Sequence, residues 1–147
     1  MTTIAYKDGT VAYDSRVTSG GFIDGDSENK RFHKDGVTFF VSGLLADTDM
    51  LMKEYFKERR GVVRPSQVAA LVVDNGQIFH FAYDQESEGY VKAPISCGSH
   101  YSIGSGYRHA YTAMDLGFSA RVAVEMAAKR DVHTGGEIKS FKFKVKL

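Results

Sequence analysis

The second residue, Thr2, is the first side chain in this sequence that could carry chemistry. A threonine hydroxyl is a weak nucleophile until a base takes its proton, and one solution uses the free α-amine of the same residue. That amine has a reference pKa of about 7.7–8.0, so much of it is neutral near physiological pH. The scheme requires the loss of Met1, because an amide nitrogen cannot act as a base. Threonine at position two is also common without any function, so Thr2 alone leaves both interpretations open.

Five short segments of polar and glycine residues follow Thr2 along the chain. In one-letter code they are YDSRVTSGG at 13–21, NKRF at 29–32, FVSGLLAD at 40–47, IGSG at 103–106 and KRDVHTGG at 129–136. Each segment has an ordinary structural explanation when it is taken alone. Asp14 could be a turn residue, Lys30 a surface cation, Ser105 a helix cap and Asp131 a charge at a helix end.

Taken together with Thr2, the five segments resemble the catalytic subunits of the proteasome and of the bacterial HslV peptidase, which are N-terminal nucleophile hydrolases. The resemblance covers nearly the whole chain and keeps the order of the motifs. It implies one domain over residues 1–147 with an α+β fold, a four-layer αββα sandwich of two antiparallel sheets. It also implies a threonine endopeptidase that cleaves unfolded proteins or peptides through an acyl-enzyme on Thr2.

The resemblance implies a role for each matching residue. Thr2 would be the nucleophile, and the charge of Lys30 would lower the pKa of the Thr2 amine by like-charge repulsion. Asp14 would pair with Lys30 and orient it, since a buried lysine without a partner is costly. The backbone N–H of Gly43 would face the developing oxyanion. Three further residues would hold the amine and its water, namely Ser105, Asp131 and Thr134.

The resemblance also implies where the substrate binds. Its main chain would add as a strand along Thr18 to Gly20 and near Gly43. The first substrate pocket would be apolar with one acid near its rim, and the matching residues are Val17, Glu28, Phe32, Val41 and Leu45. The apolar residues of this set could equally belong to the core.

The sequence departs from the family pattern at three places. Thr134 stands where serine is more usual and keeps the hydroxyl, whereas Leu44 replaces a frequent second glycine and would narrow the pocket mouth. Residues 59–66 lead almost directly into a strand where the family usually has a second antiparallel helix, so we expect one helical layer to be shortened. A homo-oligomeric ring is expected, but its size does not carry over, and an AAA+ ATPase unfoldase remains open as a partner.

The elements that must position these residues can be read from turns and spacing. Asp8-Gly9, Asp35-Gly36 and Asn75-Gly76 are typical of tight hairpins, and they would join residues 3–6 to 10–13, 31–33 to 37–41 and 69–73 to 77–83. Apolar spacing predicts three helices. The first covers 44–59 and would stop at Gly61, the second covers 105–117, and the third begins after an N-cap at Ser119. The alternation over 141–147 predicts a half-buried strand with a lysine face. Hairpins with helices in separate blocks indicate antiparallel sheets covered by helices.

Composition excludes several classes of function. Lys and Arg number 19 against 18 for Asp and Glu, a net charge of +1 that offers no general attraction for nucleic acid or membrane. No apolar run approaches the ~20 residues of a membrane span, and the start lacks the pattern of a signal peptide. The single cysteine, Cys97, suits a reducing compartment and is expected to be inert. We therefore expect a cytoplasmic protein with no nucleic-acid or membrane partner.

No cofactor or metal is expected. The GSG at 104–106 lacks the lysine of a phosphate-binding loop, the acidic run at 24–28 lacks the EF-hand pattern, and the histidines lack metal-ligand spacing. Two alternatives to a peptidase stay open. One is a non-catalytic scaffold or assembly subunit of the same fold, and the other is an amidase that acts on a small molecule.

Overall fold

The computed structural model describes residues 2–57, 66–96 and 98–146. The strands are β1 (Thr3–Lys7), β2 (Thr10–Tyr13), β3 (Val17–Ser19), β4 (Phe22–Gly25), β5 (Arg31–Lys34), β6 (Val37–Gly43), β7 (Val68–Asp74), β8 (Gln77–Asp84), β9 (Gly89–Pro94), β10 (Tyr101–Gly104) and β11 (Lys139–Lys142). The helices are α1 (Thr48–Tyr55), which follows a 3₁₀ turn over Leu45–Asp47, α2 (Tyr107–Asp115) and α3 (Ala120–Arg130).

The strands pair into antiparallel sheets. One sheet has the order β10-β1-β2-β11, the second has the order β5-β6-β7-β8-β9, and β3 pairs with β4 in a separate hairpin. The α+β class with antiparallel sheets is therefore confirmed. No helix within the described residues is long and apolar enough to cross a membrane.

The three predicted hairpins are present. In each turn both central residues have positive φ: 50° and 76° at Asp8-Gly9, 50° and 80° at Asp35-Gly36, and 51° and 75° at Asn75-Gly76. Positive φ at both positions is the type I′ geometry that matches the twist of the flanking strands. These turns connect β1 to β2, β5 to β6 and β7 to β8.

Helices α2 and α3 are present where the apolar spacing predicted helices, but α2 begins two residues after Ser105 and ends two residues before Gly117. The predicted N-cap is confirmed, because the Ser119 hydroxyl accepts the backbone N–H of Val122 at 3.2 Å. The prediction over 44–59 is wrong in its bounds, since α1 ends at Tyr55 and a turn follows in which Lys57 has a φ of +54°. The predicted stop at Gly61 and the connecting residues 59–65 lie outside the described residues, as does Cys97.

The predicted terminal strand is also shorter than expected. β11 pairs with β2, and its last pair is Lys142 with Thr10, where β2 itself begins. Beyond that point Phe143 donates its N–H to the carbonyl of Gly9 at 2.9 Å, and Lys146 donates to the carbonyl of Gly76 at 2.8 Å. The terminal segment therefore leaves the sheet and is tied to one hairpin turn of each large sheet.

Three apolar clusters hold the elements together. Alternation along β1 and β2 sends larger side chains to one face and alanines to the other. The larger ones pack between the two large sheets, with Ile4, Tyr6, Val11 and Tyr13 against Phe40, Leu71, Val73 and Ile78. The alanines, Ala5 and Ala12, let α2 and α3 approach the opposite face through Ala110, Met114, Ala123 and Val124. α1 places Leu51 on the outer face of the second sheet, against Phe39, Val41 and Val72.

Candidate active site

Thr2 lies immediately before β1 and is 1% exposed. It is held close to the end of β10, where Thr3 pairs with Gly104. Gly104 has a φ of +99°, and a Cβ at this position would overlap the carbonyl oxygen of Thr2. Only glycine lets the two strands approach this closely in that conformation, so the IGSG segment serves the placement of Thr2.

Lys30 connects Thr2 to Asp14. Its Nζ donates to Thr2 Oγ1 at 2.6 Å and to Asp14 Oδ1 at 2.7 Å. All three residues are buried, with Lys30 2% and Asp14 0% exposed. A buried lysine is stable only beside a compensating charge, and the hydroxyl it also contacts is the one that the sequence marks as a nucleophile.

Asp14 is held by three donors. Besides Lys30, the backbone N–H of Gly135 donates to Oδ2 at 2.9 Å, and that of Thr3 donates to Oδ1 at 3.4 Å. Burial raises the pKa of Asp14, against the opposing effects of Lys30 and the two backbone donors. A carboxylate that accepts from a cation and two N–H groups has the environment of an ionised acid, and it fixes the lysine in position.

The pKa of Lys30 is lowered because burial disfavours its charged form, and this effect exceeds the opposing attraction of Asp14. An amine with a lowered pKa gives up a proton more readily than an exposed lysine does. A cation in this position would stabilise a negative charge on Thr2 Oγ1, because their separation is that of a short hydrogen bond.

A second polar cluster contacts the backbone of Thr2 and is centred on Asp131. Its Oδ2 accepts the hydroxyl of Ser105 at 2.5 Å and that of Thr134 at 2.6 Å. The Ser105 hydroxyl is also 3.3 Å from the carbonyl oxygen of Thr2, and Thr3 Oγ1 lies 2.7 Å from Thr134 Oγ1. Burial raises the pKa of Asp131, but these hydrogen bonds outweigh it and leave the pKa lowered. The cluster therefore holds an ionised carboxylate next to the start of β1.

Gly43 ends β6 at the edge of a cleft that reaches Thr2. Its φ is +111°, and a Cβ would overlap the carbonyl oxygen of Gln67, the residue immediately before β7. The residue must therefore be glycine for β6 and β7 to pair as far as Val68. Its place beside Thr2 is what the predicted oxyanion role requires, and that role stays a prediction.

The cleft over Thr2, which we call the Thr2 cleft, has a volume of about 220 Å³. Of the predicted site residues it is lined by Thr2, Val17, Thr18, Lys30, Val41, Gly43 and Leu45. Three predicted substrate residues are not among its lining. Gly20 lies in the exposed turn between β3 and β4, Glu28 is exposed, and Phe32 packs with the cluster under α1.

The cleft and its supports include residues to which the sequence assigned no role. Thr3 contacts both polar clusters, and Gly135 provides a donor to Asp14. Arg16 lines the cleft, pairs with Asp26 through two nitrogens, and donates to the carbonyl of Val132 at 3.2 Å. Arg16 lies in the polar segment 13–21 and Gly135 in the segment 129–136, so the sequence pointed to their neighbourhood. Nothing in the sequence indicated a role for Thr3 beyond its place next to Thr2. No group of three or more His, Cys, Asp or Glu suited to a metal ion occurs within 2–57, 66–96 and 98–146.

Comparison with known proteins gives matches at the level of structure. No family model matches the sequence, and neither does any curated protein. Thiobacillus denitrificans BPH in complex with epoxomicin is 18% identical, with a TM-score of 0.70 and 99% of each chain covered. A second structure of this BPH, also 18% identical, has a TM-score of 0.71 and covers 99% of this chain and 98% of its own. Eukaryotic HslV from Trypanosoma brucei is 20% identical, with a TM-score of 0.69, and the match covers 97% of this chain and 99% of that one.

These matches run over nearly the whole of each chain, and they confirm the resemblance that the motifs indicated. At 18–20% identity the similarity is one of architecture. The chain therefore has the fold of the HslV and BPH structures.

Proposed function

We propose that the chain is a threonine-type peptidase, in which Thr2 attacks peptide bonds of unfolded proteins or peptides after the removal of Met1. The observation that carries the proposal is the contact of Lys30 Nζ with both Thr2 Oγ1 and Asp14, at the base of a cleft. The nucleophile and the orienting acid each lie within hydrogen-bond reach of the cation between them, as an activated nucleophile requires. The fold shared with HslV is a second support.

In the proposed mechanism the free α-amine of Thr2 takes the proton of Oγ1 as Oγ1 bonds to the substrate carbonyl carbon. The charge on Lys30 favours the neutral form of that amine, and the Nζ–H of Lys30 stabilises the alkoxide that develops on Oγ1. The N–H of Gly43 faces the oxyanion, where one donor is worth about 10²–10³ in rate. The C–N bond then breaks, the leaving nitrogen takes the proton from the amine, and an ester on Thr2 remains. Water then bonds to the ester carbonyl carbon as the amine takes one of its protons, the bond from that carbon to Oγ1 breaks, and Oγ1 takes the proton back from the amine, which frees the acid product.

The cluster around Asp131 has a supporting role in this mechanism. Its carboxylate orients the Ser105 and Thr134 hydroxyls, and Ser105 lies 3.3 Å from the carbonyl of Thr2. These groups would hold the α-amine and the attacking water in place. Proximity of this kind supplies much of an enzyme's rate enhancement.

The proposal extends to architecture and assembly. The three apolar clusters, one between the sheets and one on the outer face of each, support a single domain with an αββα sandwich. The fold shared with HslV supports an oligomeric ring of identical chains. An AAA+ ATPase unfoldase as partner and a cytoplasmic location complete the proposal, the latter supported by the single cysteine.

The test is the intact mass of the protein after expression, followed by reaction with a peptide epoxyketone. We expect a mass that lacks one methionine, one covalent adduct located on Thr2, and peptide hydrolysis that Thr2→Ala abolishes while folding is retained. Thr2→Ser is the matched control, because it keeps a hydroxyl next to the amine. Epoxomicin, the ligand in the BPH complex, is a suitable second probe.

Two outcomes would contradict the proposal. Full peptidase activity in Thr2→Ala would show that another residue is the nucleophile. A folded protein whose free Thr2 forms no adduct and hydrolyses nothing would favour the scaffold interpretation, and hydrolysis of small amides without peptides would favour the amidase.

A further inference from the structure

A second cleft opens between the two large sheets and shares one lining residue, Gly43, with the Thr2 cleft. We call it the inter-sheet cleft; Ala69, His80 and Ala82 line it from one sheet and Ile103 and Gly104 from the other, with Tyr83 and Tyr107 also contributing. Its volume is about 430 Å³, which lies within the range of about 300–1,000 Å³ typical of ligand pockets.

The inter-sheet cleft exists because the side chains between the sheets become smaller toward this end. Along the inner face of β7 they run Val73, Leu71, Ala69, since alternate residues share a face. Ala69 lies directly opposite Ala82 on β8. Two alanines side by side on the inner face of one sheet cannot fill the space that larger residues fill farther along, so the apolar packing ends before the sheets do.

The cleft also reaches the backbone that carries the reacting groups. Gly43 lines both clefts, and Gly104 lies so close to Thr2 that a Cβ would overlap the Thr2 carbonyl oxygen. A carbonyl carbon placed between Thr2 Oγ1 and the N–H of Gly43 would lie next to both clefts, because Thr2 lines the first cleft and Gly43 lines both. A peptide continues past both sides of its scissile bond, so it needs space on each side.

We propose that the inter-sheet cleft binds the residues on the leaving side of the scissile bond and selects large neutral side chains, aromatic ones above all, at the first of these positions. The inference rests on the proposed function, because it assigns the other half of the same substrate. The occupant is a stretch of the substrate peptide itself, and it would leave through this cleft as a free amine once the acyl-enzyme forms.

The chemistry of the lining sets this preference. Among the described residues that line the cleft there is no Asp, Glu, Lys or Arg. Burial lowers the pKa of His80, whose Nδ1 lies 3.2 Å from the hydroxyl of Tyr101, so its imidazole is neutral at pH 7. A charged substrate side chain would lose hydration here without gaining an oppositely charged partner among these lining residues. Tyr83 and Tyr107 offer ring faces and edges to an aromatic side chain.

The experiment compares two kinds of substrate that have the same sequence before the scissile bond. That sequence is taken from the aminocoumarin peptide that the protein cleaves best. The aminocoumarin amide has no residue after the scissile bond, whereas a set of internally quenched peptides carries Phe, Leu, Asp or Lys there. We expect kcat/KM for Phe and Leu to exceed that for Asp and Lys by at least about tenfold, a range that one pocket contact provides. Ala82→Leu, which fills the cleft, should reduce the Phe-to-Asp ratio to within about threefold.

Two further variants keep the test decisive. Ala128→Leu on α3 adds the same side chain outside the inter-sheet cleft and should retain the wild-type ratio. Tyr107→Ala changes an exposed residue that lines the cleft, so it tests the site without refilling the interior, and it should reduce the advantage of Phe over Leu.

An independent measurement uses capture of the acyl-enzyme by added amino-acid amides. The amine nitrogen bonds to the ester carbonyl carbon, the bond from that carbon to Thr2 Oγ1 breaks, and the proton lost by the amine returns to Oγ1. Phenylalanine amide should capture the acyl group at least about tenfold more efficiently than aspartate amide, as read by mass spectrometry of the new peptide.

The outcomes separate this inference from the function on which it rests. Thr2-dependent hydrolysis with equal rates for Phe and Asp, or with a ratio that neither Ala82→Leu nor Tyr107→Ala alters, would overturn the inter-sheet site alone. Absence of any Thr2-dependent hydrolysis, including that of the aminocoumarin amide, would overturn the proposed function and this inference with it.

Discussion

The buried pair of Lys30 and Asp14 allows stability and activity to be separated by two substitutions. Lys30→Met removes the ammonium while keeping a chain of similar length, and Asp14→Asn removes the negative charge while keeping one carbonyl oxygen. In the native protein both side chains are essentially buried and their charges are 2.7 Å apart. Each single variant therefore leaves one charge without its opposite, whereas the double variant leaves neither.

The expected magnitudes follow from what remains around each group. Loss of one partner of a buried ion pair costs about 3–5 kcal/mol. Lys30→Met should fall near the lower end, about 3 kcal/mol, because the Gly135 and Thr3 N–H groups still donate to Asp14. Asp14→Asn should lie near the upper end, since within the described part of the chain the charged Lys30 keeps one hydrogen bond, to the Thr2 hydroxyl, and the more distant charges of Glu28 and Asp131. The double variant should lose only about 1–2 kcal/mol, the cost of one imperfectly bonded amide.

Activity should not follow stability in this set. Every variant that lacks Lys30 loses the donor to Thr2 Oγ1, and we expect kcat to fall by about 10³, or about 4 kcal/mol at 1.36 kcal/mol per decade. The assay is urea unfolding of the wild type, the two single variants and the double variant, with kcat measured on the same preparations.

Two results would refute this reasoning. Additive losses in the double variant would mean that the two charges do not compensate each other, because residues that contact one another should couple strongly. Recovery of activity together with stability in the double variant would mean that Lys30 serves folding alone.

Two further predictions concern the placement of Thr2 and the charge of Asp131. Gly104→Ala should lower the free energy of unfolding by at least about 2 kcal/mol more than Gly117→Ala does, and it should abolish activity. Both glycines have nearly the same φ, +99° and +97°, but only a Cβ at Gly104 would overlap Thr2. Equal shifts in thermal unfolding would show that backbone strain alone matters. Folding lowers the pKa of Asp131, so this carboxylate contributes stability that is complete above its unfolded pKa of 3.8 and is lost as the pH falls below that value. The difference between the urea midpoints at pH 5 and pH 3 should therefore be smaller in Asp131→Asn than in the wild type. An unchanged difference would argue that this carboxylate is not ionised in the folded protein.

Turn chemistry was sufficient to predict the hairpins. An Asp-Gly or Asn-Gly pair supplies the two positive φ values of a type I′ turn wherever it falls between strand-forming residues, and Asp8-Gly9 did so independently of the rest of the fold. The juxtaposition of Thr2, Asp14 and Lys30 was anticipated only through the family resemblance, because no local rule brings residues 2, 14 and 30 together.

The bounds of α1 and β11 required tertiary information. The apolar spacing continues through Phe56, but Phe56 packs against Phe39 from a turn rather than from the helix, with ring centroids 6.1 Å apart. Lysine alternation continues past Lys142, but the partner strand does not, since β2 begins at Thr10. Thr3 joins both polar clusters through one hydroxyl and one N–H, and a threonine in a buried strand carries no local sign of such contacts.

The terminal segment has a mechanical consequence for the site. Phe143 is bonded to the turn at Gly9 and Lys146 to the turn at Gly76, and both turns lie at the ends of β1 and β7 opposite Thr2 and Val68. The terminal segment thus ties the two large sheets together at one end, whereas at the other end the small side chains of Ala69 and Ala82, neighbours in one sheet, leave the gap between the sheets unfilled. Any rocking of one sheet on the other would pivot at residues 143–146 and would change the width of the gap beside Gly43 most. The pivot therefore lies at the opposite end of the sheets from Thr2.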